Sequence, residues 1–474
     1  TRFSENPETD AERLATLVEA HSRREDAPAM LRGLDELRER YAQSYSYASA
    51  LFAAGNFFVR QGDWNAASRY YQPLAEAFPQ SALGAQASWR VAWAHYLQRD
   101  SAKATEALVS HLTRYPDSDH VPAAVYWLGR LAEERGAAAE ARALFELLRR
   151  RFVHSYYAIQ SRARLRRLPA PKPSRRSQGD SPIAVLAGKI PPPAAPPLEP
   201  CRSAAPSDLL RPALTLQALS LESLGEQYLE IVLAERPSAP ELVLALSGFE
   251  AEQGRAAPAL FRARRMVPDY SDYEFSGLPQ QIWRLLYPRV YWALVKQQAR
   301  TRGLDPYLVM GLIRQESAFD PSATSRADAR GLMQVRPQTA RRMRRGRDVS
   351  RRLYEPVFNV RLGCEYLRRR LKLFPGNLEQ ALAAYNAGDS RVKKWIESRT
   401  FIEPAEFLES IPLAETRAYV EAVVRDAGVY RRLLSGSARF AECSPATPPA
   451  KRAFPAARKT TKLGAASAAA PQAR

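Results

Sequence analysis

Apolar and small residues recur at helical spacing through most of the chain, and between residues 45 and 158 this pattern itself repeats. An aromatic residue returns every 37 positions, at Phe78, Tyr115 and Phe152. A small residue follows each intervening turn at the same interval, where two helices would cross closely: Ala67, Ala104 and Ala141. A period of this length is typical of stacked helical hairpins such as tetratricopeptide repeats. The pattern predicts a TPR-like solenoid over residues 1–165, with an irregular helical bundle as the alternative.

Proline interrupts the helical pattern after this region. Ten prolines fall between Pro169 and Pro200, and proline can neither continue a helix nor donate a ladder hydrogen bond. Residues 166–206 are therefore predicted to form an extended or disordered linker.

Helical periodicity returns near Ser207, which predicts a helical connecting region at 207–295 and a further helical domain at 296–436. Residues 437–474 are rich in Ala, Pro, Lys and Arg, and are predicted to be a disordered basic tail. The predicted fold class is all-α.

The candidate chemistry lies in residues 313–340, IRQESAFDPSATSRADARGLMQVRPQTA. Apolar residues at helical spacing precede it, and Glu316 follows four residues after Leu312, at the edge of that apolar face. Partial desolvation raises the pKa of a carboxyl group, as a general acid at a glycosidic oxygen requires. A solvated carboxylate at a helix end is the alternative for Glu316 taken alone. No Ser-His pair, phosphate loop or metal-ligand cluster accompanies it, so the pattern favours acid–base chemistry on a neutral, polyhydroxylated substrate.

The whole string, together with AYNAG at 384–388, resembles the catalytic domain of the soluble lytic transglycosylases, which cut bacterial peptidoglycan. The resemblance covers about residues 296–436 and implies a lysozyme-like domain. A weaker resemblance to the family's helical, repeat-containing N-terminal domain covers much of the rest. By this resemblance Glu316 is the only catalytic carboxylate. Six further residues are implied to bind substrate or shape the cleft: Ser325, Met333, Gln334, Tyr385, Asn386 and Tyr419.

The resemblance implies a reaction without water. Glu316 protonates the oxygen between N-acetylmuramic acid and N-acetylglucosamine and then deprotonates the 6-hydroxyl of the same muramic acid. The hydroxyl closes on C1 and leaves a 1,6-anhydromuramoyl end. Two alternatives stay open: a muramidase in which Asp320 or Asp328 positions water, and a non-catalytic scaffold that only holds glycan.

Two departures from the family pattern lie near these residues. Asp328 stands where the family usually has Gly, and Arg336 where it usually has Met or Leu. The arginine-rich segment RRMRRGR at 341–347 is the third departure and is interpreted as a solvated helix face.

The net charge of +20 favours an anionic partner, although Arg placed wherever a solvated base is tolerated explains it equally well. The second interpretation of the charge is attraction to an acidic cell-wall polymer. Nucleic acid is not expected because no groove-reading or RNA-binding motif is present. Peptidoglycan strands are the expected partner, and the repeats could in addition recruit a protein.

Neither a cofactor nor a metal is expected, because the cysteines lack zinc-ligand spacing. No apolar run is long enough to span a membrane. The chain begins at Thr1 without an initiator methionine, which suggests a processed product. The resemblance implies a periplasmic location.

Overall fold

The computed structural model describes residues 6–169, 182–193, 195, 208–236, 239–344 and 348–441. Within these residues the regular elements are helices, apart from two isolated β-bridges between residues 324 and 335. The predicted all-α fold class is confirmed. The tail beyond residue 441 lies outside the described residues.

Helical hairpins make up the N-terminal part. Its helices are α1 (Pro7–Arg23), α2 (Ala27–Tyr41), α3 (Tyr45–Arg60), α4 (Trp64–Ala77), α5 (Ala82–Leu97), α6 (Ser101–Arg114), α7 (Val121–Glu134), α8 (Ala138–Arg151) and α9 (Tyr156–Leu165). Capping residues at the starts of these helices recur with the same 37-residue period. Asp26, Asp63 and Asp100 each cap the second helix of a hairpin by accepting a hydrogen bond from a backbone N–H, at 3.1, 2.8 and 3.1 Å. The residue before each cap has a positive φ, as at Glu25 and Gly62. The repeat therefore starts one hairpin earlier than the aromatic pattern indicated.

Close packing inside the hairpins depends on a small residue opposite a large one. A Cβ atom at Gly55 would lie 2.4 Å from the ring of Tyr71, and one at Gly129 would lie 2.6 Å from the ring of Phe145. Both pairs occupy the same two positions of the 37-residue period. In these two hairpins the glycine lets the helices approach until an aromatic ring fills the gap.

The predicted linker needs one correction. Residues 182–189 form a helix, α10 (Pro182–Lys189), and Leu186 is buried against the hairpins. The physical reason is local: an apolar run follows Pro182, and proline is tolerated in the first turn of a helix. The flanking residues 170–181 and 196–207 lie outside the described residues.

The connecting region has a small core of its own. Its helices are α11 (Arg211–Ala218), α12 (Glu222–Glu235), α13 (Pro240–Glu252), α14 (Ala256–Met266) and α15 (Gln280–Leu286). Leu229, Leu246 and Phe249 belong to a buried cluster that is separate from the main core of the described residues.

The C-terminal part carries the candidate site. Its helices are α16 (Trp292–Arg302), α17 (Pro306–Ser317), α18 (Pro337–Met343), α19 (Pro356–Leu373), α20 (Leu378–Ala387), α21 (Asp389–Glu397), α22 (Pro404–Ser410) and α23 (Ala414–Leu434). Helix α17 crosses α23 closely, because a Cβ atom at Gly311 would lie 2.9 Å from the backbone of both Val423 and Ala427. None of the described helices is both long and apolar enough to cross a membrane.

The hairpins bind the C-terminal part through tyrosine and arginine side chains. Tyr96 and Arg99 donate hydrogen bonds to Glu406 at 3.1 and 2.9 Å. Tyr126 and Arg130 donate in the same way to Glu403, at 3.1 and 2.8 Å. Tyr156 of α9 donates to Glu379 of α20 at 2.8 Å, so the face formed by α5, α7 and α9 packs on the chain's own α20 and α22.

Candidate active site

Glu316 lies in the last turn of α17. Asp305 caps this helix by accepting a hydrogen bond from the N–H of Tyr307 at 3.0 Å, and Pro306 occupies its first position. Leu312 and the other apolar residues of the stripe are buried, as the spacing predicted. The helix ends at Ser317, and Ala318, with a φ of 50°, turns the chain away; the Glu316 side chain is half-buried at the edge of the core.

The hydroxyl of Tyr419 donates a hydrogen bond to Oε1 of Glu316 at 2.7 Å. Burial raises the pKa of Glu316 to about 7, and this hydrogen bond, which favours the ionised form, offsets part of the rise. No carboxylate or cation among the described residues contributes to the shift. Glu316 is therefore an isolated carboxyl group with a proton that it can give or take near neutral pH.

Two more tyrosines lie close to this carboxyl group. The rings of Tyr366 and Tyr385 meet edge to face with their centroids 5.0 Å apart. Burial, and then the charge of Glu316, raises the pKa of Tyr385 well above its ordinary value. Both phenols stay protonated at neutral pH.

A buried ion pair that the sequence interpretation missed fixes the helix behind Glu316. Arg314 Nη1 lies 2.7 Å from Oδ2 of Asp426, and neither side chain is exposed to solvent. The same guanidinium donates to the carbonyl oxygen of Leu286 at 2.8 Å and lies over the ring of Tyr287. Arg314 was visible inside the IRQES string, but its partner lies 112 residues away.

The loop after α17 holds its own polar groups. Ser325 is exposed, and its Oγ accepts hydrogen bonds from the N–H groups of Ala327 and Ala329 at 3.3 and 3.1 Å. The side-chain amide nitrogen of Gln334 donates hydrogen bonds to the carbonyl oxygens of Ala323 and Gly331, at 3.0 and 2.9 Å. These two residues shape the loop through their observed hydrogen bonds.

Met333 requires a correction. Its side chain is fully buried and packs against Gly363, where a Cβ atom would lie 2.5 Å from its sulfur. The expectation that it binds substrate therefore fails for its side chain. Its carbonyl oxygen instead accepts a hydrogen bond from the hydroxyl of Tyr385 at 2.8 Å, which connects the 331–335 turn to α20.

Asn359 was also missed as a positioning residue. Its side chain is fully buried, and its Oδ1 accepts a hydrogen bond from the N–H of Met333 at 2.8 Å. Its Nδ2 donates to the carbonyl oxygens of Arg330 and Leu353, at 2.8 and 2.6 Å. One amide thus fixes the turn that carries Gln334.

Asn386 differs from these residues because it is exposed. Its Oδ1 accepts a hydrogen bond from Thr416 at 2.7 Å, and within the described part of the chain its amide nitrogen has no partner. Asn386 therefore presents free donors at the end of α20.

Residues 293–407 match the family model described as the transglycosylase SLT domain. The chain carries an SLT domain. This confirms the family resemblance drawn from the sequence; the matched region ends at residue 407, before α23 and Tyr419.

Curated relatives align with about a third of the chain. Over 154 residues the chain is 35% identical to the soluble lytic murein transglycosylase of Salmonella typhimurium, and over 151 residues it is 35% identical to that of Escherichia coli K12. Each alignment covers 31% of this chain and 24% or 23% of the relative. The aligned part is thus about a quarter of those relatives' length.

The rest of the chain has likenesses of its own. Residues 44–169 match a family model described as an outer membrane lipoprotein. The solved structure of an inactive mutant of the lytic transglycosylase Slt from Pseudomonas aeruginosa superposes with a TM-score of 0.62 at 19% identity, over 92% of this chain and 64% of that chain. At this identity the similarity establishes the fold: a helical repeat region joined to a lysozyme-like SLT domain.

Most of the described residues that depart from the family pattern lie at the surface of the C-terminal part. Asp328 has a φ of 58°, a backbone conformation that favours glycine, and its carboxylate pairs with Arg330 at 2.7 Å. Arg336 is exposed at the start of α18. In the arginine-rich segment Arg341 and Arg342 are exposed, whereas residues 345–347 lie outside the described residues.

Proposed function

We propose that this protein is a peptidoglycan lytic transglycosylase, acting on the β-1,4 bond between N-acetylmuramic acid and N-acetylglucosamine. The observation that carries the proposal is a single carboxyl group, Glu316, with a pKa of about 7 inside an SLT domain. Such a group can act first as a general acid and then as a general base.

The proposed reaction balances without water. Glu316 gives its proton to the bridging oxygen as the bond from that oxygen to C1 of muramic acid breaks. The oxygen of the 2-acetamido group stabilises the positive charge that develops at C1. The Glu316 carboxylate then takes the proton of the 6-hydroxyl, whose oxygen bonds to C1 and forms the 1,6-anhydro ring.

Positioning supplies the rest of the rate enhancement in this scheme. Tyr419 holds one oxygen of Glu316, so the other oxygen is left for the substrate. The free amide donors of Asn386 suit sugar hydroxyl or acetamido oxygens, and exposed Ser325 lies on the loop that follows Glu316. Holding the 6-hydroxyl against C1 can contribute several kcal/mol by proximity alone.

The muramidase alternative lacks support from the two candidate carboxylates. Most hydrolases of this kind need a second carboxyl group within about 10 Å of the first. Asp320 accepts hydrogen bonds from the N–H and hydroxyl of Ser322, at 2.8 and 2.6 Å, and so caps its own loop. Asp328 is exposed and paired with Arg330. Neither affects the pKa of Glu316.

A direct test is mass spectrometry of the muropeptides released from purified peptidoglycan. The wild-type protein should release products one water lighter than hydrolysis products. Glu316→Gln should release none, whereas Glu397→Gln, which changes an exposed glutamate at the end of α21, should act like the wild type. Reducing muramic ends would instead indicate a hydrolase, and no release by any variant would indicate a glycan-binding scaffold.

The proposed substrate agrees with the charge of the chain. Peptidoglycan carries carboxylates on its peptides, and a net charge of +20 favours encounter with an anionic polymer at low ionic strength. We also infer a periplasmic location, where such a substrate lies.

A further inference from the structure

A pocket lies on the side of α23 that faces the helical hairpins. Its volume is about 540 Å³, and residues from both parts of the chain line it, among them Asp119, Tyr157, Glu409, Arg417 and Glu421. Arg417 and Glu421 are four residues apart and share one face of α23. Tyr419, which lies between them, points to Glu316 instead. The pocket and the candidate active site therefore lie on different faces of the same helix.

Two carboxylates in this pocket lack a full set of partners. Glu409 is only 2% exposed, and although Oε1 accepts a hydrogen bond from the hydroxyl of Tyr157, Oε2 has no partner in the described structure. Glu421 is half-buried and makes neither a hydrogen bond nor an ion pair with any described residue. A buried carboxylate oxygen without a donor is costly, which indicates that a donor is supplied from outside the chain.

Guanidinium groups lie nearby but do not neutralise these carboxylates. Arg417 is 8% exposed, and its Nη1 donates to the carbonyl oxygen of Ile411 at 3.0 Å. Arg90 donates to the backbone carbonyl oxygen of Glu409, at 3.4 Å, and not to its carboxylate. Backbone oxygens thus hold both cations in place, so anionic and cationic groups stand unpaired at the same pocket.

We propose that this pocket binds a zwitterionic amino acid, free or at the end of a peptide. Its ammonium group would lie between Glu409 and Glu421, and its carboxylate would bind Arg417. Asp117 and Asp119 also line the pocket and strengthen its attraction for a cation. A metal ion is a poorer fit, since the described residues hold no group of three or more potential ligands at metal-binding distance.

Titration calorimetry or saturation-transfer NMR on the full chain, with alanine of each hand as the probe, tests this site without any assay of glycan cleavage. Failure of this binding test is therefore distinguishable from failure of the proposed function.

The pH of the measurement depends on Glu421. Burial, and next the charge of Glu409, raises the pKa of Glu421 to about 8, and Arg417, Arg425 and Asp119 also face it. The measurement belongs just above that pH, where Glu421 is largely ionised; free alanine is the right probe because its amine is more basic than a peptide amino terminus and keeps its proton there.

Wild type should bind at least one enantiomer saturably. Isopropylamine, which lacks the carboxylate, and propanoate, which lacks the ammonium group, should each bind about tenfold more weakly or worse. Glu421→Gln and Arg417→Gln should each weaken alanine binding by about tenfold. Glu415→Gln is the matched control, because Glu415 is exposed on the same helix and does not line the pocket.

Three results would overturn the proposal. Wild type could fail to bind either enantiomer, which would leave ordered water as the partner of Glu409. Glu421→Gln could bind alanine as tightly as Glu415→Gln does, which would place the amino acid elsewhere. Isopropylamine could bind as tightly as alanine, which would reduce the pocket to a simple cation site.

Discussion

At the scale of single residues, the proposed chemistry depends on how burial sets the protonation of Glu316. Because burial raises its pKa to about 7, the proton needed for the first step is present below that pH and is lost above it. We therefore expect kcat/KM for release of anhydromuropeptides to fall with a midpoint near pH 7 as the pH rises. A midpoint near pH 4.5, the ordinary range of a glutamate, would contradict the assignment of Glu316 as the acid.

Tyr419 should affect the pH at which Glu316 loses its proton. Its hydrogen bond favours ionised Glu316, so Tyr419→Phe should raise the pKa of Glu316 further and move the alkaline limb to higher pH. Loss of the positioning bond should also lower kcat by about tenfold or more. The pH–rate profile of this variant is the measurement, and Tyr307→Phe, whose ring stacks on Trp292 away from the site, is the control. A lower kcat with an unmoved limb would leave Tyr419 with a purely structural role.

The sequence could indicate Glu316, because its place at the edge of an apolar helical face depends on local spacing and the surrounding motif resembles a known catalytic domain; the spacing alone would also fit a solvated carboxylate. The sequence could not indicate Arg314 or Asn359 as positioning residues. The partner of Arg314 is Asp426 on α23, and Asn359 holds backbone atoms up to 29 residues away. It also misplaced Met333, since nothing local tells whether an apolar side chain faces a groove or the core.

At the scale of elements, the ion pair of Arg314 and Asp426 fixes α17 on α23. Removing one partner of a fully buried pair leaves an unpaired charge, so Arg314→Met should lower the free energy of unfolding by about 3–5 kcal/mol. The double variant Arg314→Met/Asp426→Leu should recover part of that loss. Denaturant unfolding of the single and double variants measures both. If the double variant loses as much unfolding free energy as the two single variants lose together, the ion pair is not what fixes the helix.

Two helical glycines, one in a hairpin and one in the connecting region, form a matched pair. Gly129→Ala would place a methyl group 2.6 Å from the ring of Phe145, so it should destabilise by about 1–3 kcal/mol. Gly248→Ala, inside α13 with open space around it, should stabilise by about 0.5–1 kcal/mol through its higher helix propensity. Thermal unfolding of both variants provides the comparison. Equal effects would mean that the hairpins relax to accept the methyl group.

The repeat was predictable in the hairpins that keep a small residue at the helix crossing, and it was missed in the first hairpin, which does not. The first hairpin has Met30 at the position that Ala67 and Ala104 occupy in later hairpins, so the small-residue pattern does not extend to it. Helix α10 was missed for the opposite reason, because the prolines on either side dominated the interpretation of a short apolar run.

At the scale of the whole molecule, the hairpins and the SLT domain share a charged, largely buried interface. Glu403 accepts from Tyr126, Arg130 and Arg164, so Glu403→Gln would leave two guanidinium groups without their shared carboxylate. We expect faster amide hydrogen exchange in α22 and unchanged exchange in α19. Exchange measured by mass spectrometry, with Glu397→Gln as the control, tests this. Unchanged exchange in α22 would mean that apolar packing alone fixes the interface.

The interface also constrains how the protein can evolve. Glu403, Glu406 and Glu409 follow one another at intervals of three residues, and each meets a tyrosine from a different helix of the N-terminal part: Tyr126, Tyr96 and Tyr157. Solenoids ordinarily tolerate the gain or loss of whole repeats, because each unit contacts only its neighbours. Here the duplication or deletion of one 37-residue unit within this stretch would bring every later hairpin to the wrong glutamate. The number of hairpins next to the SLT domain is therefore fixed by the spacing of acidic residues along one short helix.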